Sequence, residues 1–89
     1  MRSPRISRAL LLALALSASP AWACESGHWV SSVSDDGGVV TLEDGSVWVV
    51  NAVDQIDTAL WLPTTEITAC PGKLINTEEG EVAVARRVR

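Results

Sequence analysis

Between Val39 and Val50 the chain reads V-V-T-L-E-D-G-S-V-W-V-V, two runs rich in β-branched residues on either side of Asp44-Gly45. That dipeptide favours a two-residue type I′ turn, so the stretch predicts a β-hairpin. With Asp44 and Gly45 as the loop, Glu43 pairs with Ser46, Thr41 with Trp48 and Val39 with Val50, while Leu42 faces Val47 and Val40 faces Val49. Directly opposed residues share a face of the sheet. Val40, Leu42, Val47 and Val49 therefore form an apolar face that belongs in a core. Val39, Thr41, Glu43, Ser46, Trp48 and Val50 form a mixed face with Trp48 as its one large feature.

The same alternation extends outward from the hairpin. His28 to Ser34 predicts a first strand with Trp29 and Val33 on one face and Val30 on the other, and Asp35-Asp36-Gly37-Gly38 reads as a solvated turn. After Val50 the period changes. Val53, Ile56 and Leu60 recur at offsets of three and four, which predicts a short helical turn over residues 54–61, started by Asp54 and stopped by Pro63. A helix this short is not stable alone, so its aliphatic face is expected to lie on the sheet. Glu66 to Cys70 and Lys73 to Asn76 predict two further strands about Pro71-Gly72. Glu81 to Arg89 predicts a last one, with Val82, Val84, Arg86 and Val88 on one face and Ala83, Ala85, Arg87 and Arg89 on the other. Five or six short strands joined mostly by tight turns predict an all-β domain, a small antiparallel Src-homology-3-like barrel with one short helical turn. An oligonucleotide-binding-type barrel is the second choice and usually needs a longer chain.

The N-terminus follows a different logic. Arg2, Arg5 and Arg8 precede an apolar run from Ala9 to Leu16, and Ala21-Trp22-Ala23 fits a small-x-small cleavage site. Residues 1–23 are therefore expected to be a cleaved signal peptide, cut between Ala23 and Cys24, and residues 24–89 a single domain in the periplasm or outside the cell. The apolar run falls well short of the roughly 20 residues of a spanning helix, and no transmembrane segment is expected in the mature chain. A lipoprotein signal also puts cysteine first in the mature chain and would anchor it to a membrane through Cys24. Such signals usually carry Leu where this chain has Ala21 and a small residue where it has Trp22.

Without the leader, four basic residues (Lys73, Arg86, Arg87 and Arg89) face eleven acidic ones, a net charge of about −7 with His28 neutral. That balance argues against nucleic acid or an anionic lipid surface as partner. Cys24 and Cys70 are the two cysteines, and in an oxidising compartment they have one possible pairing. The C-x-x-C spacing of a redox pair is missing.

Little in the chain points to catalysis. There is one histidine, and H-E-x-x-H, G-x-S-x-G and the Walker loop are all missing. His28 has no nucleophile and acid arranged near it in sequence, so a strand-end or surface role is expected. Asp54, Asp57 and Glu66 bracket the helical turn. A pair of them is conceivable as acid and base in sugar hydrolysis, but so short a chain offers little room to desolvate one of them. Capping and solubility account for them better. No metal or cofactor is expected. Trp29, Trp48 and Trp61 are the only aromatics of the mature chain; Trp61 is assigned to the core. Trp48, with Thr41 and Val50 beside it, is the candidate surface for a protein, peptide or glycan of the cell envelope.

The runs L-E-D-G-S-V-W-V-V (42–50), I-D-T-A-L-W-L-P (56–63), K-L-I-N (73–76) and G-E-V-A-V (80–84) together resemble small exported bacterial proteins of unassigned function. Those proteins share a Leu-acidic-x-Gly-Ser-x-Trp … Trp … Leu-Ile-Asn pattern, and the likeness covers nearly all of residues 24–89. The position after Trp48, often polar in such proteins, is Val49 here. The resemblance implies export and one small β domain, and brings no activity, cofactor or catalytic residue with it. The function expected is a small exported interaction module. The alternative is a structural or accessory envelope protein with no small ligand, and an enzyme is not expected.

Overall fold

The computed structural model describes residues 23–89; residues 1–22, nearly all of the expected leader, lie outside the described residues. Six strands run in chain order: β1 (Glu25–Val33), β2 (Val39–Leu42), β3 (Val47–Val50), β4 (Glu66–Cys70), β5 (Lys73–Asn76) and β6 (Glu81–Arg87). A 3₁₀ turn (Ala52–Asp54) leads directly into a single-turn helix, α1 (Gln55–Thr58), between β3 and β4. The strands close into an antiparallel barrel in the order β1-β2-β3-β6-β5-β4, with β4 returning to β1. This is the small barrel expected, consistent with an Src-homology-3-like fold. The two long strands close the ring by sharing their lengths: β1 pairs with β4 from Glu25 to Trp29 and with β2 from Val30 to Val33, and β6 pairs with β5 from Glu81 to Val84 and with β3 from Ala85 to Arg87.

The central hairpin forms, but its register differs by one from the expected pairing. Val39 pairs with Val49, Val40 with Trp48 and Thr41 with Val47. The loop has three residues, closed by the Gly45 N–H donating to the Leu42 carbonyl at 3.0 Å and the Leu42 N–H donating to the Ser46 carbonyl at 2.9 Å. Gly45 takes a positive φ of 87° while Asp44 does not, so the turn is a type I turn followed by a left-handed glycine instead of type I′. A shift of one residue exchanges the faces of a strand. Trp48, 5% exposed, and Val50 now point into the barrel with Val40 and Leu42, and Val47 and Val49 are half-buried on the outside. The surface expected from Trp48, Thr41 and Val50 is therefore not a surface: two of its members are core, and Thr41 lies on the opposite face. The buried Trp48 indole donates to Ser46 Oγ at 3.0 Å, which explains why a serine is buried beside the turn.

Strand β1 departs from simple alternation in the same way. A register shift between Val30 and Ser32 inserts an extra residue against β2. Val33 therefore returns to the core side with Val30, and Trp29 is left outside. On β6 the inward face is Ala83 and Ala85, while Val82, Val84 and Val88 are exposed. Trp48 and Trp61 are both buried in this narrow barrel, and small side chains on the strand that crosses it make the room.

Cys24 and Cys70 form a disulfide. They occupy the pair that follows Glu25 and Ala69 in the β1–β4 ladder, so the bond closes one end of the barrel. Cys24 Sγ is the sulfur that a lipid thioether would use.

Candidate functional site

The helical segment that follows β3 is attached to the barrel by its polar side. Thr58, fully buried, donates from Oγ1 to the Gly37 carbonyl at 2.6 Å. Gln55 Nε2 donates to the Val50 carbonyl at 2.9 Å, and the Asp54 carboxylate accepts the Val84 N–H at 2.9 Å. The Asn51 N–H donates to the Val84 carbonyl, and at the exit of the segment the indole of buried Trp61 donates to Glu81 Oε1 at 2.8 Å. The segment thus lies along β6 from Val84 to Glu81 with Thr58 and Trp61 as its inward anchors.

This attachment turns the expected packing over. Val53, Ile56, Leu60 and Leu62 are between 69 and 79% exposed. The face assigned to the sheet is the face that meets solvent. The physical reason is the carbonyl of Gly37, a buried acceptor that must be paired. Thr58 can satisfy it and an aliphatic side chain cannot. Val84 is held at one end of the segment and Glu81 at the other, and β6 beside it also exposes Val82 and Val84. Contiguous aliphatic surface on an ordered element marks an interaction site more often than scattered exposure does.

Next to the segment, a cleft of about 290 Å³ is lined by Leu60 and Leu62, by Glu78 and Glu79 of the loop before β6, and by Glu81 at the start of that strand. That loop is fixed from below. Asn76 is buried, and its Oδ1 accepts the N–H groups of Glu78 and Glu79, both at 3.0 Å. Asp54 and Asp57 lie on the segment itself, and Glu66 is exposed, its N–H donating to Glu78 Oε2 at 2.9 Å. The three carboxylates weighed for sugar hydrolysis are thus spread along a surface.

A second group surrounds His28. Its Nδ1 lies 2.8 Å from Glu43 Oε2 and 3.9 Å from Asp44 Oδ2, and its Nε2 lies 3.3 Å from Glu25 Oε1. Glu43 also accepts the Trp29 N–H on Oε1 at 2.9 Å, so the hairpin loop grips β1 by side chain and backbone together. Among the described residues, His28, Glu43 and Asp44 are the one group near enough to share a metal ion. Both oxygens of Glu43 are already engaged, and Asp44 Oδ1 accepts the Ser46 N–H. A clamp between loop and strand accounts for the arrangement. Beside it, a shallow groove of about 390 Å³ runs past Gly27, His28, Trp29, Thr64, Glu66 and Glu78. Among the described residues Trp29, 47% exposed, is the tryptophan that faces solvent.

The clamp makes stability depend on pH. The hydrogen bond to Glu43 raises the His28 pKa above its ordinary 6.5, against the lowering effect of burial and with further help from Glu25 and the charges of Glu43 and Asp44. Burial works to raise the Glu43 carboxyl, but the Trp29 N–H and His28 outweigh it and hold it below the usual range. A histidine raised in the folded state contributes fully below its unfolded value, and that contribution is lost as pH rises through the folded value. Glu43 contributes above its unfolded value and loses this as pH falls. The thermal midpoint should therefore decline as pH is raised from about 6 to 8, and His28→Gln should flatten that decline. An equal decline in the variant would place its origin elsewhere.

Compared with protein-family models, curated proteins and solved structures, the chain gives no match.

Proposed function

We propose that this protein is a small exported interaction module, and that it meets its partner through the aliphatic face of residues 53–62 together with Val82 and Val84. The observation that carries the reading is the exposure of Val53, Ile56, Leu60 and Leu62 on a segment whose polar side chains hold it to the barrel. A chain that needed only solubility would gain from polar residues at those four positions. The aliphatic side chains of a helical segment offer recognition through side chains, not through strand pairing. Export is supported by the basic leader, its apolar run and the Ala21-Trp22-Ala23 site. It is supported further by the Cys24–Cys70 disulfide, which belongs to an oxidising compartment. No helix among the described residues is long and apolar enough to cross a membrane.

The test is capture from envelope extract with the purified protein, using Ile56→Asp/Leu60→Asp beside the parent and Val88→Ser, exposed beyond the far end of β6, as a control. A component retained by the parent and the control but lost by the double variant is the expected result. Equal capture by all three would favour an accessory protein that uses no such face.

A further inference from the structure

We infer that the partner at this face is a basic, aliphatic-rich segment of another protein, whose lysine or arginine stems lie across Leu60 and Leu62 and whose charged heads end on Glu78 and Glu79. This rests on the reading that residues 53–62 form a binding face, and it adds the chemistry of what binds.

Charge complementarity selects the occupant. From Asn51 to Gly72 the chain contains no Lys or Arg, and exposed Asp57 lies between Ile56 and Leu60, while the one nearby cation, Lys73, stands opposite Val84, three residue pairs along the ladder from Glu81. Glutamates from the loop before β6 and leucines from the segment line the same cleft. Among the described residues, ion pairs occur only around His28, so no Lys or Arg neutralises this rim. The carboxylates are partly free to accept. Glu78 uses Oε2 for the Glu66 N–H and Glu81 uses Oε1 for the Trp61 indole, which leaves one oxygen on each. The hydrogen bonds from the Glu78 and Glu79 backbone to buried Asn76 hold the loop in position, so little ordering remains to be done on binding. A long cationic side chain matches both halves of the cleft, its methylenes on the leucines and its head on the carboxylates.

Other occupants fit less well. A second copy brings the same acidic rim: its Arg86, Arg87 and Arg89 lie at the far end of β6 from Glu81, and its Lys73, opposite Val84, is a single cation against the glutamates. An anionic lipid surface meets the same repulsion.

The experiment uses the purified protein, ¹⁵N-labelled, with three twelve-residue amphipathic peptides in which leucine alternates with lysine, serine or glutamate. The lysine peptide should shift the amides of residues 56–62 and 77–81 and bind about tenfold or more tightly than the other two, with that advantage shrinking as salt is raised. Glu78→Gln/Glu79→Gln, which keeps an acceptor for the Glu66 N–H, should reduce that affinity about tenfold, as expected for loss of charge-assisted contacts. Equal binding of all three peptides at these amides would overturn the basic partner while leaving the aliphatic face as a binding surface. No shift there with any peptide would overturn both. A shift of the same amides with protein concentration alone would mean that a second copy fills the cleft, and would overturn the proposal.

Discussion

Gly37→Ala should leave little folded protein. Gly37 has a φ of 79°, and a Cβ built there runs into the Gln55 carbonyl oxygen and lies 2.7 Å from Ala59 N and 2.8 Å from Thr58 Oγ1. Two of those atoms are helix backbone, so relief requires the whole segment to move. Moving it breaks the buried bond from Thr58 to the Gly37 carbonyl. The left-handed conformation costs a side chain about 1–2 kcal/mol, overpacking about 1–3, and an unpaired buried carbonyl about 1–3 more. A core of this size supplies only about 3–5 kcal/mol. Gly80→Ala is the control, because Gly80 also has positive φ but its Cβ would meet open space. It should cost about 1–2 kcal/mol. Thermal unfolding of the two variants gives the comparison, and equal losses would mean that the segment does not dock on Gly37.

Replacing both Cys24 and Cys70 with serine should have the next largest effect. The bond spans 46 positions of the chain. Constraint of the unfolded chain over such a loop is worth about 4 kcal/mol on the chain-entropy model, an upper figure because native strain and residual unfolded structure reduce it. In a domain this small each kcal/mol moves the midpoint by roughly 4–8 °C. A fall on the order of 15 °C or more is expected, with strand content retained at low temperature. Labelling of both cysteines by a thiol reagent in the native, unreduced protein would contradict it.

Much of the fold was legible in the chain. The hairpin about Asp44-Gly45, the helical turn before Pro63, the last three strands and the cysteine pair all lie where the residues point. The failures have local causes. Asp-Gly serves both a two-residue type I′ loop and a three-residue loop ending in a left-handed glycine, and the choice decides which face Trp48 joins. A bulge in β1 has no signature in S-S-V-S, yet it moves Val33 across the strand and leaves Trp29 outside.

The helical segment failed for a different reason. Asp54, Thr58 and Trp61 also recur at offsets of four and three, so two opposite faces fit the period. Hydrophobicity favoured Val53, Ile56 and Leu60. The buried Gly37 carbonyl decided for the other face, and that carbonyl belongs to a residue 21 positions away. Asp35-Asp36-Gly37-Gly38 reads as an ordinary solvated turn, and Asp36 behaves as one, accepting from Gly38 N–H and the Ser34 hydroxyl at 2.8 Å. Only the packing shows that Gly37 is where the helix rests.

The outward face of residues 53–62 is tested most directly by the stability of Ile56→Asp/Leu60→Asp, followed by thermal and denaturant unfolding. Exposed aliphatics exchanged for polar residues change stability little, within about 0.5 kcal/mol at each site, so a midpoint close to that of the parent is expected. Two charges forced onto the barrel would remove the burial of two aliphatic side chains, about 2–5 kcal/mol each, and a largely unfolded variant would show that Ile56 and Leu60 face the core after all.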